Sequence, residues 1–130
     1  MRLTSKLMEG LAFSTDIRGH TIVVDVPPEM GGADTGPMPP ELVATALGTC
    51  VGIYVVMFCR KYNISTEGLA VHTDWEKGGD PVRIMRMDVS IELPAGVPED
   101  KYDAFMRTVE QCMVHHTFCN IPKINMTLAR

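Results

Sequence analysis

Four cysteines are the residues of this chain best suited to chemistry: Cys50, Cys59, Cys112 and Cys119. A cysteine thiolate attacks electrophiles, forms disulfides and binds soft metal ions. Cys50 and Cys59 lie nine residues apart in one apolar segment. On a helix this spacing turns the two thiols to opposite sides and separates them by about 13 Å along the axis, too far for a disulfide. A partner for Cys50 must therefore come from elsewhere in the chain.

A second group of candidate residues consists of Cys112, His115, His116 and Cys119. On one continuous helix these four side chains would share a face. Two thiolates and two imidazoles suit zinc, although the spacing matches no standard zinc-finger pattern. The alternative is a helix end with solvent-exposed histidines and a packed Cys119. We favour that alternative, so the predicted site contains no metal. On the shared face Cys112 and Cys119 would be about 10 Å apart, too far to form a disulfide with each other.

The remaining pair is Cys50 with Cys112. Free cysteines are commonly small, inert core residues, and this interpretation stays open for both. A reactive thiolate in apolar surroundings would need a nearby cation. Four arginines are candidates for that cation, and spacing does not choose among them: Arg18, Arg60, Arg83 and Arg86.

A long apolar segment must position the first of these cysteines. Residues 42–59 carry no charge, and prolines before them and cations after them are typical of helix starts and ends. We therefore predict a helix from about Pro40 to Tyr62, apolar on nearly all sides and so buried at the centre of the fold. A transmembrane span is the alternative, since the length suffices and Gly48 and Gly52 have the spacing of a helix-pairing motif. The amphipathic segments around it favour the buried helix, and we predict no membrane contact.

The segments around this helix show strand-like alternation, and one shows helical spacing. A loop rich in Gly and Pro precedes the helix, and a loop of that length is often functional. Pro98, with acids after it, predicts the start of a second helix. The predicted order is βββ-α-ββ-α-β, an α+β fold in a single domain, residues 1–130. Strands are predicted at residues 2–8, 11–17, 20–26, 69–75, 82–93 and 124–128. The apolar stripe of the second helix is Tyr102, Phe105, Met106, Val109 and Met113.

Composition sets limits on the function. The net charge of −4, without a basic cluster, argues against nucleic-acid binding. The first residues lack the apolar run of a secretory signal, so we expect a cytoplasmic protein. In that compartment the four cysteines are more often reduced thiols, metal ligands or redox groups than structural disulfides.

Two sequence motifs carry a family resemblance. Residues 36–50, Gly-Pro-Met-Pro-Pro-Glu-Leu-Val-Ala-Thr-Ala-Leu-Gly-Thr-Cys, resemble the central-helix motif of the OsmC/Ohr family, the osmotically inducible and organic-hydroperoxide-resistance proteins. Residues 112–118, Cys-Met-Val-His-His-Thr-Phe, are similar to the second cysteine motif of that family. The order of elements agrees over essentially the whole chain, and the Pro-x-Glu-Leu form is closer to less characterised OsmC-like branches.

This resemblance implies an intertwined homodimer with active sites at the subunit interface. It also implies a thiol-dependent peroxidase that reduces organic hydroperoxides in oxidative stress defence. Cys50 would become a sulfenic acid and condense with Cys112 into a disulfide, which an external dithiol reductant would then reduce. No cofactor is implied. Arg18 best matches the arginine that holds the thiolate in the characterised peroxidases.

One position departs from the peroxidase pattern. Glu41 precedes Cys50 by nine residues, one fewer than the glutamate that holds the arginine in the peroxidases, so Pro40 stands where that glutamate belongs. Nine residues are half a turn on a helix, and we expect Glu41 to point away from Cys50 and to stabilise the helix start. The alternative function is a non-enzymatic small-molecule binding protein, with a cavity lined by residues such as Tyr54, Met57 and Trp75.

Overall fold

Two units, each with its own sheet, make up the chain in a computed structural model that describes residues 1–129. The first unit comprises residues 1–43 and the second begins at Ala44. The long helix α1, Pro39–Lys61, starts in the first unit and continues through the second.

The first unit contains an antiparallel meander of three strands: β1 (Ser5–Leu7), β2 (Phe13–Ile17) and β3 (His20–Val24). The strands are shorter than predicted, but their order and the turn between β2 and β3 are confirmed. Ile17 pairs with His20, which leaves Arg18 and Gly19 as a two-residue turn. Both have positive φ, 51° and 87°, the combination that matches the right-handed twist of a hairpin.

The loop after β3 is held in place by the carboxylate of Asp25. This side chain, 2 % exposed, accepts hydrogen bonds from the backbone N–H groups of Val26, Ala33 and Thr35 and from the Thr35 hydroxyl. These bonds, that of the Thr35 hydroxyl foremost, lower the pKa of Asp25 to about 2. The loop rich in Gly and Pro is thus an ordered structure built around one buried charge.

Helix α1 begins and ends as the sequence predicts, within one residue at each end. Glu41 Oε1 accepts a hydrogen bond of 2.8 Å from the backbone N–H of Met38, the residue just before the helix. This is half of a capping box, in which a glutamate in the first turn satisfies a free donor at the helix start. Asn63, just beyond the helix, has a φ of 55°, the left-handed conformation that ends helices.

The second unit contains an antiparallel pair of strands, β4 (Ala70–Gly78) and β5 (Arg83–Glu92). The predicted two faces of β5 are confirmed between Arg86 and Glu92. Met87, Val89 and Ile91 pack against the hydrophobic core, whereas Arg86 lies outside and forms an ion pair of 2.8 Å with Asp88.

The second helix, predicted to end near Cys112, is α2 (Tyr102–Val109), and a separate third helix, α3 (Met113–Cys119), follows it. The break lies at Cys112, whose ψ of 126° is extended and stops helical hydrogen bonding. The predicted apolar stripe is therefore wrong at its ends. Phe105 and Val109 are buried, but Tyr102 is exposed and Met113 lies exposed on the other helix.

The predicted last strand is absent within the described residues: residues 121–129 have no regular secondary structure. A strand needs a neighbour for its hydrogen bonds, and none of the described strands pairs with this segment. The alternating apolar side chains are all exposed: Ile124, Met126 and Leu128. Within residues 1–129 the order of elements is thus βββ-α-ββ-αα, still an α+β fold.

The central helix is less buried than its composition predicts. Its inner side contributes Leu47, Val51, Val55 and Phe58 to the core of the second unit. The prediction that it is buried on nearly all sides is wrong for the single chain, since Ile53 is 60 % exposed. A chain of this size has too few elements to surround a long helix completely.

Both glycines of the helix-pairing motif are used inside the chain. A methyl group on Gly48 would lie 2.5 Å from Thr73 Oγ1, and one on Gly52 would lie 3.4 Å from Val71 Cγ2. The small residues therefore let β4 approach α1. Helix α1 is long and apolar enough to cross a membrane, but core helices of soluble proteins can have the same length and composition. Within the protein, 39 % of its most apolar stretch is buried.

Candidate active site

Cys50 lies in the middle of α1, at the edge of the core of the second unit. Its side chain is half-buried and packs against the buried core residues. The adjacent Val51 is buried, whereas Thr49 on the other side is exposed and turns its hydroxyl back to the carbonyl of Thr45. Cys50 thus combines apolar contacts with an opening towards its surroundings.

Cys112 belongs to the core cluster against which Cys50 packs. It is 0 % exposed and occupies the residue just before α3. Its extended ψ turns the chain sharply, and the sulfur joins the same core cluster as α1. The Cys50 thiol is close enough to raise the pKa of Cys112, and both cysteines are free.

Opposing effects act on the ionisation of Cys112. Burial raises the pKa of its thiol most strongly, and the neighbouring Cys50 thiol raises it further. The backbone N–H groups of His115 and Val114, in the first turn of α3, lower the pKa of Cys112. The result is a raised pKa, so Cys112 is held as a neutral thiol beside Cys50. Two neighbouring thiols of this kind can be oxidised to a disulfide where the disulfide geometry can be reached.

The other two residues discussed for this site lie in the first unit. Arg18 stands at the tip of the hairpin between β2 and β3, and its role beside Cys50 stays a prediction. Glu41 is bonded to the backbone of Met38, so the expected function at the helix start is confirmed.

The family assignment follows from comparison with known proteins. A family model of OsmC-like proteins matches residues 31–127. The chain belongs to the OsmC-like family. No curated protein matches the sequence.

Solved structures agree with this assignment at low sequence identity. An OsmC-like protein from Mycoplasma pneumoniae is 16 % identical with a TM-score of 0.76, covering 92 % of this chain and 87 % of its own. A Psychrobacter arcticus protein ascribed to osmotic stress and detoxification is 20 % identical with a TM-score of 0.79, covering 88 % and 85 %. An organic hydroperoxide resistance protein OsmC from Legionella pneumophila is 15 % identical with a TM-score of 0.63, covering 92 % and 90 %. These similarities establish the fold.

The four candidate metal ligands of this OsmC-like protein do not form one cluster. Cys112 precedes α3 and faces the core, whereas Cys119 is exposed at the far end of that helix. Cys119 contacts His115 alone, with Sγ 3.4 Å from Nε2. Within residues 1–129 no three His, Cys, Asp or Glu side chains are arranged to bind a metal ion. The prediction of a packed Cys119 is wrong, because α3 ends at the surface.

The fourth cysteine of the OsmC-like chain, Cys59, is fully buried. Burial raises the pKa of its thiol, which keeps it neutral and unreactive. Cys59 belongs to the core cluster against which Cys50, nine residues earlier on α1, also packs, and the opposite orientation of the two thiols stays a prediction.

A cleft of about 400 Å³ lies between the end of α1 and α2 of the OsmC-like protein. Met57, Tyr62 and Arg107 are among the residues that line it. Of the residues predicted to line a ligand cavity, Met57 does so, whereas Tyr54 packs against the core and Trp75 lies half-buried on β4. The cleft is therefore distinct from the cavity that the sequence suggested.

The backbone groups around Cys112 are functional groups that the sequence did not predict. The amides of Val114 and His115 reach the sulfur only because the helix breaks at Cys112. No glycine or proline marks that break between residues 102 and 119, so periodicity alone predicts one helix. A Cys in the position before a helix carries little signal, because Ser, Thr, Asp and Asn are the usual residues there.

Proposed function

We propose that this OsmC-like protein is a thiol-dependent peroxidase that reduces organic hydroperoxides in oxidative stress defence. The observation that carries the proposal is that Cys50 packs against the core cluster to which Cys112 belongs, near enough for its thiol to raise the pKa of Cys112. Two cysteines distant in sequence, one half-buried and one fully buried, suit a nucleophile and a resolving thiol. Family membership and a structural relative described as an organic hydroperoxide resistance protein support the proposal.

In the proposed reaction the Cys50 thiolate attacks the terminal oxygen of the hydroperoxide. The O–O bond breaks, the organic half leaves as an alcohol after taking a proton, and Cys50 becomes a sulfenic acid. The Cys112 sulfur then attacks the Cys50 sulfur, water leaves, and a disulfide forms. An external dithiol reductant supplies two electrons and two protons to restore both thiols, itself becoming a disulfide.

Arg18 is the proposed cation for the thiolate of Cys50. A guanidinium close to a thiolate stabilises it against the cost of apolar surroundings. Support comes from the position of Arg18 at the hairpin tip and from the family resemblance. Because the Glu41 carboxylate is engaged with Met38, the proposal assigns no carboxylate to support Arg18.

The substrate we propose is a hydroperoxide with an apolar alkyl or aryl group. Cys50 packs against a core cluster of apolar residues, among them Val51, Leu47 and Val55. An organic group gains roughly 25 cal/mol for each Å² that it buries, and hydrogen peroxide has no such group. The protein should therefore react faster with organic hydroperoxides than with hydrogen peroxide.

We further propose that the active unit is an intertwined homodimer in the cytoplasm that binds neither nucleic acid nor membrane. The exposed Ile53 and Met57 on α1 support the dimer, as do the unpaired apolar residues 121–128. Neither apolar group is covered within the described chain, and a second copy would bury both.

Turnover of peroxide tests the proposal. Reduced protein is mixed with cumene hydroperoxide and dihydrolipoamide as dithiol, and loss of the peroxide is followed. We expect catalytic consumption by the wild type and by Cys119→Ser, and none above background by Cys50→Ser. Consumption that survives Cys50→Ser would overturn the assignment of the nucleophile.

A binding protein without enzymatic activity is the second candidate function. The cleft between α1 and α2, with a volume of about 400 Å³, is the observation that favours it, since this volume is within the usual range for ligand sites. Stoichiometric ligand binding with no turnover of any peroxide would favour this candidate over the enzyme.

A further inference from the structure

A second thiol outside the proposed active site is paired with a histidine. Cys119 is exposed at the last position of α3, and its Sγ lies 3.4 Å from Nε2 of His115, one helical turn earlier. Cys112 is seven residues away, about 10 Å along a helix, so the two cysteines cannot bridge. Cys119 and His115 therefore form a nucleophile–base pair of their own.

The hydrogen bond of the second ring nitrogen, Nδ1, determines which nitrogen of His115 carries the hydrogen. Nδ1 is 3.1 Å from the backbone carbonyl oxygen of Glu110. A carbonyl oxygen accepts hydrogen bonds and never donates, so Nδ1 carries the hydrogen. In the neutral ring Nε2 is then the acceptor, and the hydrogen in the contact with Cys119 comes from the thiol. The Glu110 carbonyl thus orients His115 to accept a proton from Cys119.

A nucleophile, a base in hydrogen-bonding reach and a third group that orients the base are the arrangement that activates thiols. The end of a helix disfavours an anion, because the carbonyl groups there carry partial negative charge. An imidazolium on His115 would offset that effect for Cys119. The ring of His116 lies 5.8 Å from that of His115, centroid to centroid, and makes no hydrogen bond to the sulfur.

We propose that Cys119 and His115 form a reactive thiol site that exchanges with small disulfides and so carries a reversible modification. The Cys119 hydrogen moves to Nε2 of His115, and the thiolate attacks one sulfur of the small disulfide. That S–S bond breaks as the new bond to Cys119 forms. The departing thiolate takes the proton from His115. Cys119 is oxidised, and half of the small disulfide is reduced to a thiol.

Site-resolved thiolation tests this proposal in the full-length reduced protein. Hydroxyethyl disulfide is the probe because it is uncharged, and peptide mapping by mass spectrometry measures the mixed disulfide at each cysteine over time. The rates are taken between pH 5.5 and 9 for the wild type, His115→Gln and His116→Gln. The last variant is the matched control, since it removes the neighbouring imidazole and leaves the pair intact.

The expected result is a Cys119 rate at pH 6.5 at least about threefold higher in the wild type than in His115→Gln. A tenfold larger thiolate population raises the exchange rate only about threefold, because a less basic thiolate is a weaker nucleophile. His116→Gln should keep the wild-type rate. Equal rates in all three proteins would overturn the proposal.

If His115→Gln does not fold, the pH dependence of the modification rate at Cys119 in the wild type tests the proposal by itself. A rate at Cys119 that follows the titration of an unassisted thiol, near pH 8.5, would overturn the proposal, and so would modification of Cys50 with none at Cys119. No peroxide enters the assay, so this outcome is independent of the proposed peroxidase function.

Discussion

Cys50 and Cys112, 62 positions apart in sequence, are neighbours in the core of the second unit, where the Cys50 thiol raises the pKa of Cys112. They are neighbours because α1 places Cys50 against the core cluster that Cys112, in the break before α3, also belongs to. Burial and the Cys50 thiol raise the pKa of Cys112, against the amides of His115 and Val114. This arrangement suits a resolving cysteine that stays neutral until its partner is oxidised.

The exposed apolar residues of α1, Ile53 and Met57, predict that the protein is a dimer. Size exclusion with light scattering under reducing conditions should give twice 14.3 kDa. Ile53→Glu should shift the protein to the monomer, because a buried charge in an apolar interface costs several kcal/mol. Val82→Glu is the matched control, since Val82 is also exposed but lies in the turn between β4 and β5. A wild-type monomer would contradict the proposed dimer.

Arg18 should control the rate at which peroxide oxidises Cys50. A nearby guanidinium shifts the balance towards an anion by a factor of roughly ten to a thousand, but a less basic thiolate is a weaker nucleophile, so Arg18→Met should slow oxidation by at least about threefold at neutral pH. The measurement is stopped-flow oxidation of the reduced protein by cumene hydroperoxide. Arg86→Met serves as control, because Arg86 pairs with Asp88 on the outer face of β5. Equal oxidation rates in Arg18→Met and Arg86→Met would contradict the role of Arg18 as the cation beside Cys50.

Asp25 should stabilise the first unit in a pH-dependent way. Its folded pKa, about 2, is below the ordinary value of 3.8. The charged carboxylate therefore contributes stability that is fully present above about pH 4 and is lost as the pH falls towards 2. Denaturant unfolding should give a lower free energy of unfolding for Asp25→Asn than for the wild type, with the difference constant from pH 7 to 4 and shrinking below.

The control for this experiment is Asp34→Asn, since Asp34 is an exposed residue of the same loop with a φ of 55°, which asparagine tolerates. It should unfold like the wild type. If the difference between the wild type and Asp25→Asn stayed the same down to pH 2, its carboxylate would not be the source of the stability.

Cys59 and Cys119 should both be dispensable for peroxide chemistry, for different reasons. Cys59→Ala should lower the free energy of unfolding by on the order of 1 kcal/mol, because a fully buried sulfur is lost. Cys119→Ser should leave the free energy of unfolding unchanged, since that side chain is exposed. Urea titration and peroxide oxidation rates measure both properties. If Cys119→Ser alone prevented disulfide formation, the resolving role of Cys112 would be wrong.

Local patterns predicted most of this fold. Period-two alternation located the meander and the strand pair, and the prolines and cations around residues 42–59 fixed both ends of α1. What failed depends on tertiary structure. The alternation of Ile124, Met126 and Leu128 is real, but no described strand pairs with it. The break at Cys112 is not marked in the sequence by a glycine or a proline.

The candidate site was only partly predictable. Residue type and family resemblance predicted Cys50 and Cys112, and the fold places both at one core cluster, while their catalytic roles stay predictions. The role of Glu41 at the helix start was predicted from its place in the first turn and is confirmed by the hydrogen bond that it accepts from Met38. Spacing could not identify the amides of Val114 and His115 as neighbours of Cys112, since they depend on a backbone angle at one residue.

Peptide mapping under non-reducing conditions tests the central claim most directly. The reduced wild type and Cys50→Ser are treated with cumene hydroperoxide or hydrogen peroxide, quenched and digested. We predict a Cys50–Cys112 disulfide that forms faster with cumene hydroperoxide and is absent in Cys50→Ser. The claim is contradicted if neither peroxide oxidises Cys50 faster than it oxidises free cysteine.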